Sequence, residues 1–565
     1  MGLRVLIVSN FFPPNVMGGA EIVAHRQAGA LREAGHDVAI FAGGLKSSAK
    51  GRLEAERADG LPVYRIAHRS LEPEGNFHDP AVVAFFRSVL SLHRPEIVHF
   101  HNVTGLGASL IPEAKSFGAR VVTTLHDYWG ICFKNTLLRN DGSLCDDVER
   151  CAVCLPTIPA GAGERLPIRL RRDFVARCLD RSDHLISPSG YLARTYESSG
   201  VLRTPVEHVS NGMECSRIPI SPPREAEAPI RFATFSYLGE HKGIPVLLEA
   251  AAMLAADRSL DQRWHLTIAG GGHLAGVVGD AAASDRLREH VTYVGKLPRE
   301  DALSLAQEVD AIVLASRWPE NEPVSLLEAI ATGTAQIATR LGGNVDLVDD
   351  ERSGLLVEPD DAASLAAAMR RMIEDPKLVV RFGSYNAARR DRFDEGRTVA
   401  RLDELYRTLQ SGPTIPDVPV LCAGRAPSPL FSQDLALMVD RLERLEGEGP
   451  RLRLVWHEWA DADLWMEARL LWLWGEVGVE ALPLVSRAFR AGTPVLGPSD
   501  SVLAPMFDES DAGTYDDLLG AMAKLAALQR SPREGRLGSH ARDAARRLNR
   551  MAPRETFHLA VDRPS

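Results

Sequence analysis

The sequence predicts an α/β protein built from successive doubly wound units, and three observations predict it. Short apolar runs rich in β-branched residues alternate with helical patterns from the first residues onward. Two Pro-rich stretches, Ile218 to Pro229 and Ser411 to Pro419, break that alternation as linkers do. After Pro419 part of the middle pattern returns. A chain of 565 residues is also too long for one hydrophobic core.

Taken in order, Val5 to Ser9 reads as a strand, Gly18 to Gly35 as a helix and Val38 to Phe41 as the next strand. Glu96 to His101, Arg120 to His126 and His184 to Ser189 continue the series, each an apolar run ending in a polar residue. Buried parallel strands have this form. A second series begins after Pro229 with Arg231 to Ser236, then His265 to Gly272, Val291 to Gly295, Asp310 to Ser316 and Ala335 to Thr339. The expected domains are therefore 1–215 and 216–392, with a closing helix at about 393–410 packing back on the first.

The third region, 416–550, reads as a degenerate α/β unit. Strands are expected at Val420 to Gly424 and Leu452 to Trp456, an apolar run at Leu470 to Trp474, and a helix at Gln433 to Leu445. The stretch Ala481 to Gly497 overlays Glu322 to Ala338, and Asp511 to Leu528 echoes the helix after Glu358. In that overlay Arg487 stands opposite Glu328, so the tail is expected to be non-catalytic.

Composition sets outer bounds. With 45% hydrophobic and 25% charged residues the chain is ordinary for a globular protein, and its net charge of −10 argues against nucleic acid as a partner. Leu3 to Val8 is too short for a signal-peptide core, and no apolar run reaches the roughly 20 residues of a membrane span. The expectation is a cytoplasmic protein, at most peripheral at the inner face of the membrane. The basic run Arg165 to Arg177 is either a membrane-facing surface or a solvated helix face.

Chemistry concentrates where strands end. Trp318 to Gly333 follows a strand and opens a helix, with Glu320 and Glu328 flanking Pro323. A helix N-terminus offers unpaired amides and a positive dipole end, suited to hydroxyls or phosphate oxygens. A carboxylate one turn in, Glu328, accepts two hydrogen bonds from a vicinal diol, although an acid there also serves as a cap. Lys242, in the turn His241 to Gly243, can meet a diphosphate as a point charge. Gly18 and Gly19 allow close backbone approach in the first strand–helix loop, or serve a tight turn. His126 ends a strand at the edge where open sheets bind ligands, and Asp127 is placed to cap the next turn. His99 and His101 end the neighbouring strand and read as cleft-lining.

These motifs, continuing through Gly333 to Asp361, resemble the retaining glycosyltransferases of the family 4 type and GT-B fold over about Met1 to Leu409. The resemblance implies two Rossmann-like domains facing a cleft, and transfer from a UDP- or GDP-type sugar with retention. The acceptor class is a glycan, a lipid-linked or a small molecule. It implies that His126 and Glu320 contact the donor sugar, with the backbone of Asn321, Glu322, Pro323 and Val324 beside it. Glu328 would bind the ribose, Lys242 the diphosphate, and Gly18 and Gly19 would line the phosphate side. The backbone of Gly295 and Lys296 would face the base, and the bland alternative is an ordinary strand end. Similar enzymes need no metal cofactor, and the leaving phosphate itself takes the acceptor proton. One departure stands out, because Tyr237 occupies the position of an arginine that usually precedes the lysine by five residues. That substitution keeps open a catalytically silent scaffold. A sugar-nucleotide epimerase, active on donor alone, is the other alternative.

Cys132, Cys145, Cys151 and Cys154 are separated by twelve, five and two residues. One C-x-x-C with two further thiols suits a closed tetrahedral structural zinc site, and four metal-free thiols are the alternative.

Overall fold

The computed structural model describes residues 2–44, 53–67, 71–161 and 164–411, apart from Met17, Pro223 and Ala226, and in the tail mainly five strands between 418 and 515. The chain forms two compact units, Met1–Ser411 and Gly412–Ser565.

Within the first unit, one sheet contains β1 (Arg4–Ser9), β2 (Asp37–Gly44), β3 (Leu53–Ala58), β4 (Leu61–Ala67), β5 (Ile97–Phe100) and β6 (Arg120–Thr124). A separate hairpin, β7 (Thr157–Gly161) and β8 (Glu164–Pro167), precedes its last strands, β9 (His184–Ser187) and β10 (Val206–His208). The order is β10-β9-β6-β5-β1-β2-β4-β3, parallel except for the β3–β4 hairpin. Val5 to Val8 are buried on both faces of β1, which explains their unbroken apolar run. The helix Gly19–Glu33 then lays Val23, Ala24, Ala28 and Leu31 into the core.

A second sheet holds β11 (Ile230–Phe235), β12 (Trp264–Ala269), β13 (Val291–Gly295), β14 (Ala311–Leu314), β15 (Ala335–Thr339) and β16 (Gly354–Val357). It is wholly parallel, in the order β13-β12-β11-β14-β15-β16. The helix Glu395–Ser411 returns to the first sheet, where Val399, Leu402, Leu405 and Tyr406 join the core of Val5, Ile7 and Leu31. Tyr406 Oη meets His99 Nδ1 at 2.6 Å, and His99 Nε2 meets Thr124 Oγ1 at 2.7 Å. The whole imidazole is thus spent inside the core, and burial pushes it down to about 3. His99 is therefore a structural histidine and not a cleft residue, correcting the sequence expectation.

In the second unit β17 (Val418–Gly424), β18 (Leu452–Trp456), β19 (Leu470–Trp474), β20 (Val495–Pro498) and β21 (Gly513–Tyr515) pair in the order β18-β17-β19-β20-β21, all parallel. Position for position, this is the order of the second sheet without its outer strand β13, an arrangement shared by doubly wound folds. The expected helix at 433–445, most of 511–528 and Arg487 lie outside the described residues. No helix among the described residues is long and apolar enough to cross a membrane.

The basic run 165–177 departs from both expectations. The helix Ile168–Leu179 turns Arg171 and Arg172 inward on the face shared with Ile168, Val175 and Leu179. Arg165 bonds Thr157, and Arg169 lies beside Glu149 and Asp173. Two of the arginines thus serve the interior, and the run offers no continuous cationic face.

Candidate active site

In open α/β sheets ligands meet the carboxyl ends of the strands, and the loops after β1, β6, β11, β13 and β14 all leave from such ends. The loop after β14 is the best supported. Glu320 Oε1 accepts from Lys242 Nζ at 2.6 Å, from Ser316 Oγ at 2.5 Å and from Trp318 Nε1 at 2.9 Å. The Lys242 ammonium also lies 4.9 Å from the centre of the Trp318 ring. Lys242 is delivered by the turn before the helix Ile244–Ala255, and Gly243 makes that turn at φ +68. A Cβ at Gly243 would stand 1.8 Å from Ala315 O, so only glycine permits this approach.

Asn321 and Glu322 tie the loop to the first sheet. Asn321 Nδ2 donates to His126 O at 2.9 Å, and its Oδ1 accepts from Ser189 Oγ at 2.6 Å. Glu322 accepts from Ser210 Oγ at 2.6 Å and from Asn211 N at 2.7 Å. Burial pushes the Glu322 carboxyl up to about 7, with those two bonds opposing the shift. Pro323 then caps the helix Val324–Thr332, whose first amides, at Val324 and Ser325, have no intrahelical acceptor.

Glu328 lies on this helix. Its carboxyl is likewise pushed up to about 7 by burial, opposed by Arg299 and Arg26. Unlike Glu322, it takes no side-chain hydrogen bond or ion pair among the described residues, although it is only 7% exposed. A buried acid without partners is costly, and such groups mark places where a ligand completes the site. Across from it, the Gly18 amide donates to Glu21 Oε2 at 2.8 Å, and a Cβ on Gly19 would meet Val324 Cγ2 at 3.6 Å. The glycine loop therefore faces the helix N-terminus directly.

His126 Nε2 lies 2.9 Å from His101 Nδ1, and the two rings stack at 5.1 Å. Burial drives His126 to about 4 and His101 well below its ordinary value, so both imidazoles are neutral at pH 7 and share one proton between these nitrogens. Asp127 Oδ1 accepts from Trp129 N at 2.7 Å, the expected turn cap. His101 and His126 line one small cavity of about 20 Å³ with Asp127 and Trp129.

At the far end, Gly295 adopts φ +75 and its carbonyl accepts from Gly270 N at 2.8 Å, while Lys296 stands exposed beside Gly271. Tyr237 is 51% exposed and stacks on His241 at 5.8 Å, so an aromatic surface occupies the place of the missing arginine.

Several supporting residues had escaped sequence reasoning. Gly342 and Gly343 pass beneath the Glu320 loop, and a Cβ on Gly343 would stand 1.6 Å from Asn321 O. Gly343 N also donates to Glu320 O at 2.6 Å. The signal was present, because a Gly pair between strand and helix is the same pattern as Gly18–Gly19. Ser189, Ser210 and Arg299 carry no local signal.

All four cysteines of the cluster line a second cavity of about 20 Å³. Among the described residues no three His, Cys, Asp or Glu side chains are arranged to share a metal ion.

Residues 17–217 match the model described as Glycosyltransferase Family 4, and 221–389 match Glycosyl transferases group 1. A glycogen synthase of Mycobacterium tuberculosis is 27% identical over 401 residues, 67% of this chain and 88% of its own length. A D-inositol 3-phosphate glycosyltransferase of Corynebacterium urealyticum is 25% identical over 419 residues, 71% of this chain and 92% of its own. Among solved structures, Anabaena HepE in complex with UDP-glucose superposes with a TM-score of 0.53 at 16% identity, over 72% of this chain and 100% of that one, a likeness of fold.

Proposed function

This chain belongs to the glycosyl transferases group 1 family, with the GT-B fold, and we propose that it transfers a sugar from a UDP- or GDP-type donor to a glycan, lipid-linked or small-molecule acceptor with retention of anomeric configuration. The observation that carries this reading is the unpartnered carboxyl of Glu328 behind a helix N-terminus, with Lys242 held on Glu320 beside it.

In this reading Glu328 accepts the ribose hydroxyls, and the amides of Val324 and Ser325 face the diphosphate. Lys242 meets the same diphosphate as a point charge. The Tyr237 substitution leaves more of that charge to the helix dipole and the amides. Neutral His126, its ring set by His101, contacts the donor sugar, and Glu320 orients it from the other side. As the glycosidic bond to the phosphate breaks, the departing phosphate oxygen takes the acceptor hydroxyl proton on the same face. Lys242 and the helix end stabilise the charge that develops there. No side-chain nucleophile and no metal cofactor take part.

The stereochemical claim is testable without an acceptor. Slow hydrolysis of an α-linked donor, followed by NMR before mutarotation, is expected to release the α-anomer first. Initial release of the β-anomer would make the enzyme inverting.

A further inference from the structure

Between His126 and β7 the chain runs some thirty residues as irregular backbone, with Val148–Val153 as its one helical turn and a single Leu138–Leu144 bridge. Segments of this length and poverty of secondary structure need something to hold them. The four cysteines come from three separate parts of it, yet Cys132, Cys145, Cys151 and Cys154 all border one small cavity. Two of the thiols donate to backbone carbonyls, Cys151 Sγ to Val148 O at 3.0 Å and Cys145 Sγ to Asp147 O at 3.5 Å, and Cys145 also meets the Arg139 side chain. None is in a disulfide.

A second observation comes from beneath the segment. Arg171 is 1% exposed, donates to Trp129 O at 2.6 Å and lies over the Trp129 ring at 5.3 Å. Its Nε and second terminal nitrogen are buried without any hydrogen-bond partner, and no carboxylate among the described residues pairs with it within 4.0 Å. Its electrostatic neighbours are Cys132, Tyr196, Asp127 and Cys151. A buried guanidinium left this open is expensive unless negative charge lies beside it. The Asp127 carboxylate supplies part of that charge without bonding to the guanidinium, and four neutral thiols add none.

We propose that Cys132, Cys145, Cys151 and Cys154 bind one zinc ion as a structural tetrathiolate centre whose charge Arg171 offsets. Binding a divalent ion releases four protons, one from each thiol, and leaves a centre of net charge −2 next to the guanidinium. Thiolate sulfur favours zinc over harder cations, and four protein ligands close the tetrahedron, so the centre has no open position for catalysis. As they stand, no three of these side chains are arranged to share an ion, so binding requires the sulfurs to turn. Once deprotonated, Cys145 and Cys151 no longer donate to Asp147 O and Val148 O, and their sulfurs are free to do so. Val148 O keeps the Arg172 guanidinium as donor at 3.0 Å. Through Arg171 and Trp129 the centre would brace the turn that begins at His126.

The test is elemental analysis of the full chain, purified without metal-affinity chromatography, together with cobalt substitution. About one zinc per chain is expected, falling at least fivefold in Cys151→Ser and in Cys154→Ser, with thiolate-to-cobalt charge-transfer bands in the cobalt form. If those variants do not fold, the wild-type cobalt spectrum decides. A chain without zinc whose four thiols all react with a thiol reagent in the native state would overturn the proposal. So would zinc retained undiminished in both variants, or a cobalt form lacking the charge-transfer bands.

Discussion

At neutral pH the Glu328 carboxyl sits near the midpoint of its titration, because burial raises it to about 7 and Arg299 and Arg26 only partly oppose that. A ribose diol donates to the carboxylate but gains much less from the acid, so protons compete with the donor. Affinity for an intact nucleotide sugar should fall by roughly twentyfold from pH 7.5 to 5.5, in the limit where only the carboxylate binds. The sugar-linked diphosphate carries no proton in that range, which makes it the ligand of choice. Glu322 titrates near the same pH. Glu328→Gln separates the two, since it should bind weakly and with a flat profile, and a slope that survived would assign the titration elsewhere. Lys242 makes a different prediction. Lys242→Met removes the point charge offered to the diphosphate and leaves Glu320 with Ser316 and Trp318 as donors. Donor affinity should drop about ten- to hundredfold, corresponding to roughly 1.5–3 kcal/mol, and calorimetry reads it directly.

Among the elements, the loop from Ser316 to Pro323 is held from two sides. Below it, Gly343 approaches Asn321 so closely that Gly343→Ala forces backbone apart. Destabilisation of about 3 kcal/mol or more is expected, with loss of nucleotide binding, measurable by denaturant unfolding and calorimetry on the same sample. Toward the first sheet, Glu322→Ala strands the Asn211 amide and the Ser210 hydroxyl, at a cost of about 1–3 kcal/mol. At this scale much was legible. The strands β1, β5, β6, β14 and β15 announced themselves because burial on both faces demands unbroken apolar runs, whereas β11, β12 and the half-exposed β13 were legible by their β-branched and aromatic residues. The β3–β4 hairpin did not, since Leu53–Ala58 is mostly exposed and carries charges at 54, 56 and 57. Arg171 and Arg172 were read by their charge, although their helical spacing with Ile168, Val175 and Leu179 placed them inward. Asn321 was expected beside the sugar through its backbone. Its side-chain bonds to the 125–126 segment and to Ser189 span more than a hundred positions and leave no local trace.

On the scale of the whole molecule, every proposed donor contact lies within Met1–Ser411, which forms a compact unit by itself. A chain ending at Ser411 should therefore unfold cooperatively and keep its nucleotide affinity within about twofold of the full chain. The boundary at Ser411 to Pro419 was visible as a Pro-rich break, whereas the return of the helix Glu395–Ser411 to the first sheet depends on distant partners such as His99. Calorimetry of the full chain with UDP, GDP and ADP, in wild type and Glu328→Ala, bears most directly on the donor site. One base should bind in the micromolar range and lose at least tenfold in the variant, the cost of a charged hydrogen-bond acceptor. No binding of any nucleoside diphosphate at millimolar concentration, or equal binding by Glu328→Ala, would contradict the assignment of this cleft as a nucleotide-sugar site.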